Sequence, residues 1–171
     1  MGMYTGLRFK GVVKKELRCG FKDIALKGDW ELHADIKFKS FGQEFDRAGF
    51  IPCGALAYMP DEWEKDYIND QGEREIEFAT YYKQVATDGF DRYYNEETGE
   101  WVFQCSLKNY ESEIENFLLL LPYFIESIEH CEYFYEEDIW SQKYELIDGK
   151  VKETSDKFIQ YGYEEDEGYR W

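Results

Sequence analysis

The sequence predicts an α+β protein in which one or two helices pack on one face of a mostly antiparallel sheet. Two observations carry this prediction. Two strand-like runs flank the Glu-Glu-Thr-Gly turn at residues 96–99, as in a β-hairpin. After that hairpin, apolar residues recur at helical spacing between Ser112 and Glu129. We expect residues 1–152 to form a single domain, followed by an acidic, aromatic tail (153–171) that packs back on it or stands apart.

The first predicted strand runs from Tyr4 to Val13, because Leu7, Phe9 and Val13 would share one of its faces. Glycines interrupt the residues that follow this strand. Within them we expect a short helix between Asp29 and Lys39.

In the middle of the chain, residues 50–66 give weak secondary-structure patterns, and residues 75–107 give stronger strand patterns. Phe50–Tyr58 is apolar and predicts a short buried strand or a loop, and Asp61–Asp66 predicts one helical turn after a proline. Alternation over 75–82 predicts a strand, and the runs 90–95 and 101–107 predict the two arms of the hairpin. In the second arm four side chains point inward: Trp101, Phe103, Cys105 and Leu107.

The best helical pattern predicts a helix over Ser112–Glu129. Ser112 and Glu115 fit a capping box, and Pro122 should kink the helix or end it locally. The core-facing stripe consists of Ile114, Phe117, Leu118, Leu121, Ile125 and Ile128.

Two more strands are expected after the helix, over Cys131–Glu137 and Trp140–Ile147, with a turn at Asp148-Gly149. The tail beyond them carries its aromatic residues around the acidic run Glu164–Glu167.

Composition places the chain among folded domains. It has 171 residues, of which 43% are hydrophobic and 19% aromatic, which is too much apolar material for a disordered chain. The 4 cysteines show no CxxC spacing, and Met1–Lys10 lacks the apolar core of a secretory signal. No apolar stretch is long enough to span a bilayer. We therefore expect free thiols and a soluble protein of the cytoplasm of a bacterial host cell.

Charge is distributed unevenly along the chain. Residues 1–50 carry 10 basic and 7 acidic side chains, a net of +3, whereas residues 51–171 carry 10 basic and 30 acidic ones, a net of −20. Such a field repels nucleic acid and anionic membrane and attracts basic surfaces. We expect the basic strip near the start of the chain to pair with acids of its own chain or of a second copy. In the second case the protein would form a homodimer. The members of the basic strip are Arg8, Lys10, Lys14, Lys15, Arg18 and Lys22.

No motif for catalysis or metal binding is present. The chain has only 2 histidines and no four-ligand zinc spacing, and the acids of 66–75 miss the calcium-loop register at Ile68. It also lacks a nucleophile elbow, a P-loop and a dinucleotide-binding glycine motif. We therefore expect no cofactor, no metal and no catalytic residues.

The remaining signal is the set of acids at outward positions of several predicted elements. Strand or helix spacing separates such carboxylates by about 6–7 Å, which is comparable with the path between phosphates of a nucleic-acid strand. Neighbouring tyrosines add rings that stack on arginine. The expected partner-binding residues are Glu75, Glu77, Glu126, Glu129, Glu132, Tyr133, Tyr135, Glu136, Glu164, Glu165, Asp166 and Glu167.

These features predict a noncatalytic, phage-type inhibitor that imitates nucleic acid. Its partner would be a basic nucleic-acid-binding defence protein such as a CRISPR effector nuclease, as for an anti-CRISPR protein. Three alternatives remain open from the sequence. They are a module that sequesters a nucleotide signal, a structural interaction domain whose acids merely solubilise it, and an enzyme whose site is assembled without a motif.

Overall fold

The computed structural model describes residues 4–54, 67–68, 74–75, 90–136, 138 and 141–154. The strands within these residues are β1 (Thr5–Val13), β2 (Tyr67–Ile68), β3 (Arg74–Glu75), β4 (Tyr93–Tyr94), β5 (Glu100–Leu107), β6 (Ile125–Tyr135), β7 (Gln142–Ile147) and β8 (Lys150–Glu153). The α-helices within them are α1 (Lys22–Lys27), α2 (Ile36–Glu44), α3 (Phe50–Cys53) and α4 (Glu113–Phe124). Two short 3₁₀ turns cover Lys15–Leu17 and Trp30–Leu32.

Six of the strands form one antiparallel sheet in the order β4-β5-β1-β6-β7-β8. The first strand of the chain is central, because β1 pairs with β5 on one side and with β6 on the other. The predicted α+β class is therefore confirmed, and so is the first strand. Leu7, Phe9 and Val13 share its core face and are fully buried.

The core lies between this face of the sheet and the helices. Phe21, Trp30 and Phe38 from the helical segments pack on Trp101 of β5 and Phe124 of α4 in one buried cluster. Indole nitrogens in the cluster are satisfied by backbone carbonyls, since Trp30 Nε1 donates to Ile51 O at 2.6 Å and Trp101 Nε1 to Ala25 O at 3.1 Å. Much of the aromatic content is thus core material.

The hairpin prediction is confirmed. Tyr93 and Tyr94 of β4 pair antiparallel with Val102 and Trp101 of β5, and Gly99 closes the turn at φ +78°. The inward residues of the second arm are at most 1% exposed; they are Trp101, Phe103, Cys105 and Leu107.

The predicted helix over Ser112–Glu129 is too long. α4 ends at Phe124, two residues after Pro122, and the chain passes directly into β6 at Ile125. Ile125 and Ile128 are β-strand residues that face the core, because β6 contains two register shifts against β1.

The capping box is also wrong. Ser112 adopts φ 60°, ψ 40°, and its side chain makes no capping hydrogen bond. Asn109 takes that place, since its Oδ1 accepts from Ile114 N at 2.9 Å and its Nδ2 donates to Glu115 Oε2 at 2.7 Å.

Other expectations were partly met. A helix does occur in the region Asp29–Lys39, but α2 continues to Glu44, and α1 and β8 were not expected. The apolar run after Gly49 begins with the helical turn α3 rather than a strand, and its remainder lies outside the described residues, as does Asp61–Asp66. Of the strand expected over 75–82, only Glu75 lies within the described residues, in β3. The two last strands and the Asp148-Gly149 turn are present, with bounds shifted to β6 and β7.

Among the helices of the described residues, none has the length and apolarity needed to cross a membrane.

Candidate partner-binding surface

The predicted partner-binding residues divide into four groups. Glu126 and Glu129 are exposed, whereas Glu132 and Glu136 are buried, with 2% and 5% of their surface accessible. Tyr133 and Tyr135 are half-buried. The rest lie outside the described residues, or in the case of Glu75 have only their backbone described: Glu75, Glu77, Glu164, Glu165, Asp166 and Glu167.

The burial of Glu132 corrects the expectation that it faces solvent. It does lie on the face of the sheet opposite the helices, but that second face is also covered. Arg8, its register partner on β1, is only 1% exposed and contacts Glu132 Oε1 through Nη1 at 3.4 Å. Arg8 Nε also donates to Gln104 Oε1 at 2.7 Å, and His130 Nε2 lies 3.1 Å from Glu132 Oε1. Glu132 is thus part of a buried polar network across three strands.

Two acids of α4, Glu113 and Glu115, are engaged in contacts within the chain. Glu113 is fully buried, with its Oε1 3.7 Å from Arg47 Nη1 and its Oε2 accepting from Glu111 N. Glu115 accepts a hydrogen bond from the hydroxyl of Tyr133 at 3.2 Å. Burial, together with the nearby Glu115 carboxylate, raises the pKa of Tyr133 well above its usual range. The Tyr133 hydroxyl is therefore engaged in a hydrogen bond within the chain.

β-Bulges explain why Glu126 and Glu129 remain exposed. The register of β6 against β1 shifts between Lys10 and Gly11 and again between Val12 and Val13, so neither acid has a register partner on β1. A bulged residue is left out of the ladder, and the strand bends there. The two shifts thus project both carboxylates into solvent near the end of β1.

Arg18 connects the hairpin turn to the start of β6. Its guanidinium donates to Val13 O at 2.9 Å and to Glu97 O at 2.7 Å, and Nη2 lies 3.7 Å from Glu126 Oε2. A side chain on Gly99 would collide with this guanidinium and with Val13 O, so the turn needs glycine there for space as well as for its positive φ.

The result is an exposed acidic end of the sheet, built from the hairpin turn and the start of β6. Glu100 of β5 and Ser127 of β6 are both register partners of Val12, so about 10 Å separates the two acid-bearing strands. We call this set the acidic end; its exposed members are Glu96, Glu97, Glu100, Glu126 and Glu129. Sequence reasoning placed three of them only in or beside a turn, although the Glu-Glu pair before the turn glycine was a usable signal.

Tyrosines flank the acidic end in two different ways. Tyr93 is 46% exposed. Tyr94 turns inward, where its hydroxyl donates to Arg18 O at 3.1 Å. Burial and the Glu96 carboxylate raise the pKa of Tyr94 to about 12.

Two members of the basic strip pair with acids of their own chain, and a third binds backbone carbonyls. Arg8 and Arg18 pair with Glu132 and Glu126, and Lys14 Nζ donates to the carbonyls of Pro122 and Tyr123. Lys15 is exposed beside them. Arg8, Lys14 and Arg18 are thus engaged in contacts within the chain.

Cysteine and metal chemistry add nothing to this surface. All four cysteines are free, and burial raises the pKa of Cys53, Cys105 and Cys131. Within the described residues, no three metal-binding side chains come together.

No protein-family model, curated protein or solved structure matches this chain.

Proposed function

We propose that the protein is a noncatalytic inhibitor that binds a basic, nucleic-acid-reading groove through its acidic end. The observation that carries this proposal is the presence of five exposed glutamates at one end of the sheet, where Arg18 links the Glu97 carbonyl to the Glu126 carboxylate. The partner class is a host defence protein that processes nucleic acid, such as a CRISPR effector nuclease. The protein would then act in the cytoplasm of a bacterial host, as phage-encoded anti-CRISPR inhibitors do.

The electrostatics of the whole chain support this choice of partner. Residues 51–171 carry a net charge of −20, so long-range attraction favours basic surfaces and disfavours nucleic acid itself. Carboxylates on β5 and β6, on either side of β1, can meet lysine and arginine side chains that otherwise hold phosphates. Association should be fast and should weaken as salt rises, because exposed charges are screened over about 8–10 Å at physiological ionic strength.

The burial of Glu132 and Glu136 determines which variant tests the proposal. Reversing their charge would disturb the fold, so a loss of binding would be uninformative. The informative variant replaces the five acids of the acidic end: Glu96→Gln, Glu97→Gln, Glu100→Gln, Glu126→Gln and Glu129→Gln. Its matched control removes five exposed acids elsewhere: Glu31→Gln, Glu44→Gln, Asp46→Asn, Asp148→Asn and Glu153→Gln.

The experiment immobilises each protein and captures partners from a bacterial lysate at low salt, with duplex DNA as competitor. We expect the unaltered chain and the control variant to retain a basic nucleic-acid enzyme that DNA and high salt release. The acidic-end variant should lose it. The purified enzyme should then be inhibited stoichiometrically in a DNA-cleavage assay.

Two results would overturn the proposal. If both variants lose capture equally, net charge rather than the acidic end is responsible. If no nucleic-acid enzyme is captured, or the captured enzyme is not inhibited, the acids act as a solubilising surface.

A further inference from the structure

An apolar groove lies between α2 and α4, on the helical side of the molecule. Its volume is about 340 Å³. Two of its apolar side chains are strongly exposed, Leu119 at 78% and Ile36 at 71%. The lining residues are Ile36, Lys37, Ser40, Phe41, Glu44, Phe45, Asn116, Leu119 and Leu120.

The outer side of α4 is unusually apolar for a helix in water. Phe117, Leu118 and Leu121 face the core, Leu120 is partly buried beside them, and Leu119 on the outer side is a leucine as well. A helix that is apolar around most of its circumference is normally covered on both sides. An exposed apolar patch rimmed by polar residues marks a binding surface.

The described chain leads toward this helix. β8, the edge strand, contacts α4, and the chain leaves it at Thr154. Tyr144, the register partner of Glu153, has its pKa raised to about 12 by burial, with contributions from the carboxylates of Glu153 and Glu115. Glu115 lies in the first turn of α4, next to Asn116 of the groove. The end of β8 is therefore near the groove.

We propose that residues 155–171, which lie outside the described residues, occupy the α2–α4 groove. Their chemistry fits the groove, because they combine aromatic side chains with the acidic run Glu164–Glu167, and α2 presents the exposed lysines Lys37 and Lys39. Lys37 Nζ lies 4.3 Å from the centre of the Tyr123 ring, which places its charge beside α4. The segment is long enough to reach the groove, since its 17 residues span up to about 55 Å when extended. The aromatic residues available are Phe158, Tyr161, Tyr163, Tyr169 and Trp171.

Limited proteolysis of the full chain tests this docking. Chymotrypsin cuts after aromatic residues, and the rate of release of segments from 155–171 is followed by intact mass. The reference is a synthetic peptide of residues 153–171. Cleavage of a docked segment reports how often it leaves the groove, so we expect cutting at least about tenfold slower than in the peptide.

Two groove variants and one matched control locate the protection. Leu119→Asp should restore cleavage to within about threefold of the peptide, and Lys37→Glu should raise it to a smaller extent. Leu32→Asp is the control, because Leu32 is 77% exposed and does not line the groove. It should leave the rate unchanged. Thermal unfolding of each variant confirms that the fold is intact; if Leu119→Asp does not fold, Lys37→Glu alone decides.

Each other outcome overturns the inference. Cutting of the full chain at the peptide's rate means that the segment does not dock. Protection that survives the groove variants means that it docks elsewhere. Protection that grows with protein concentration, together with a dimer mass in light scattering, assigns the groove to a second copy. None of these outcomes depends on the proposed inhibitor function.

Discussion

At the scale of single residues, Glu126 and Glu132 are the same side chain in opposite environments. Both belong to β6 and both pair with an arginine. Glu126 is 62% exposed, whereas Glu132 and its partner Arg8 are 2% and 1% exposed. An ion pair in water contributes little to stability, because solvent already screens it. A buried pair matters for another reason, since removing one charge leaves the other without compensation in a poorly polarisable interior.

The first prediction follows from that contrast. Glu132→Gln should lower the free energy of unfolding by about 3 kcal/mol, since it removes the charge of a buried carboxylate that contacts the guanidinium of Arg8. Glu126→Gln should cost less than about 1 kcal/mol. Urea denaturation of the two variants measures the difference. Both buried residues make further contacts, so the double variant Arg8→Gln/Glu132→Gln separates the pair from its surroundings. Equal losses for the two single variants would show that Glu132 is solvated after all.

At the scale of elements, the sequence could predict β1, the hairpin and the body of α4 because each depends on local periodicity. Leu7 and Phe9 alternate as in a strand, and Ile114 and Phe117 recur as in a helix. The end of α4 could not be predicted in the same way. The bulges of β6 place Ile125, Ile128 and Cys131 on the core face at intervals of three, which imitates helical spacing.

The candidate surface was only partly predictable for a related reason. Alternation correctly assigns Glu132 to the face opposite Tyr133, but it does not reveal whether that face is covered. Arg8 was a signal, because a central strand with a cation on its second face needs a partner there. The grouping of Glu97 with Glu126 depends on the guanidinium of Arg18 and hence on contacts distant in sequence.

The second prediction concerns the start of α4. Asn109→Ala should destabilise the protein by about 1 kcal/mol, because it removes the acceptor for Ile114 N and the donor to Glu115. Ser112→Ala should leave stability unchanged within a few tenths of a kcal/mol, because the Ser112 side chain makes no capping bond. Chemical denaturation of both variants checks this order. If Ser112→Ala destabilised the protein more than Asn109→Ala, the capping box that the sequence suggests would be supported instead.

At the scale of the whole molecule, net charge and the burial of tyrosines both lower the stability of the fold at high pH. The formal net charge is −17 at pH 7, and loss of lysine protons makes it more negative as pH rises. Self-repulsion then opposes the compact state, though added salt screens it. The partly buried tyrosines Tyr94 and Tyr144 add a separate effect that salt does not remove. Burial is the main cause in each case, and it raises the pKa of both Tyr94 and Tyr144 to about 12.

The third prediction is that stability falls between pH 10 and 12 even in high salt. The unfolded chain releases a tyrosine proton near the ordinary pKa of 10.0, whereas folded Tyr94 keeps its proton to about 12. In that window the unfolded state binds fewer protons, so the free energy of unfolding decreases as pH rises. Below pH 10 both states are protonated and the contribution of the buried tyrosines is fully present.

A pair of neighbouring variants isolates this effect from general repulsion. Tyr94→Phe removes one buried hydroxyl that titrates late, so the decline of stability with pH should become shallower. Tyr93→Phe alters the exposed neighbour on the same strand and should leave the slope as it is. Urea midpoints measured across the window at high salt give both slopes. If the two variants titrate alike, or if salt abolishes the decline, repulsion among the surface charges and not the burial of Tyr94 controls the alkaline limit of this fold.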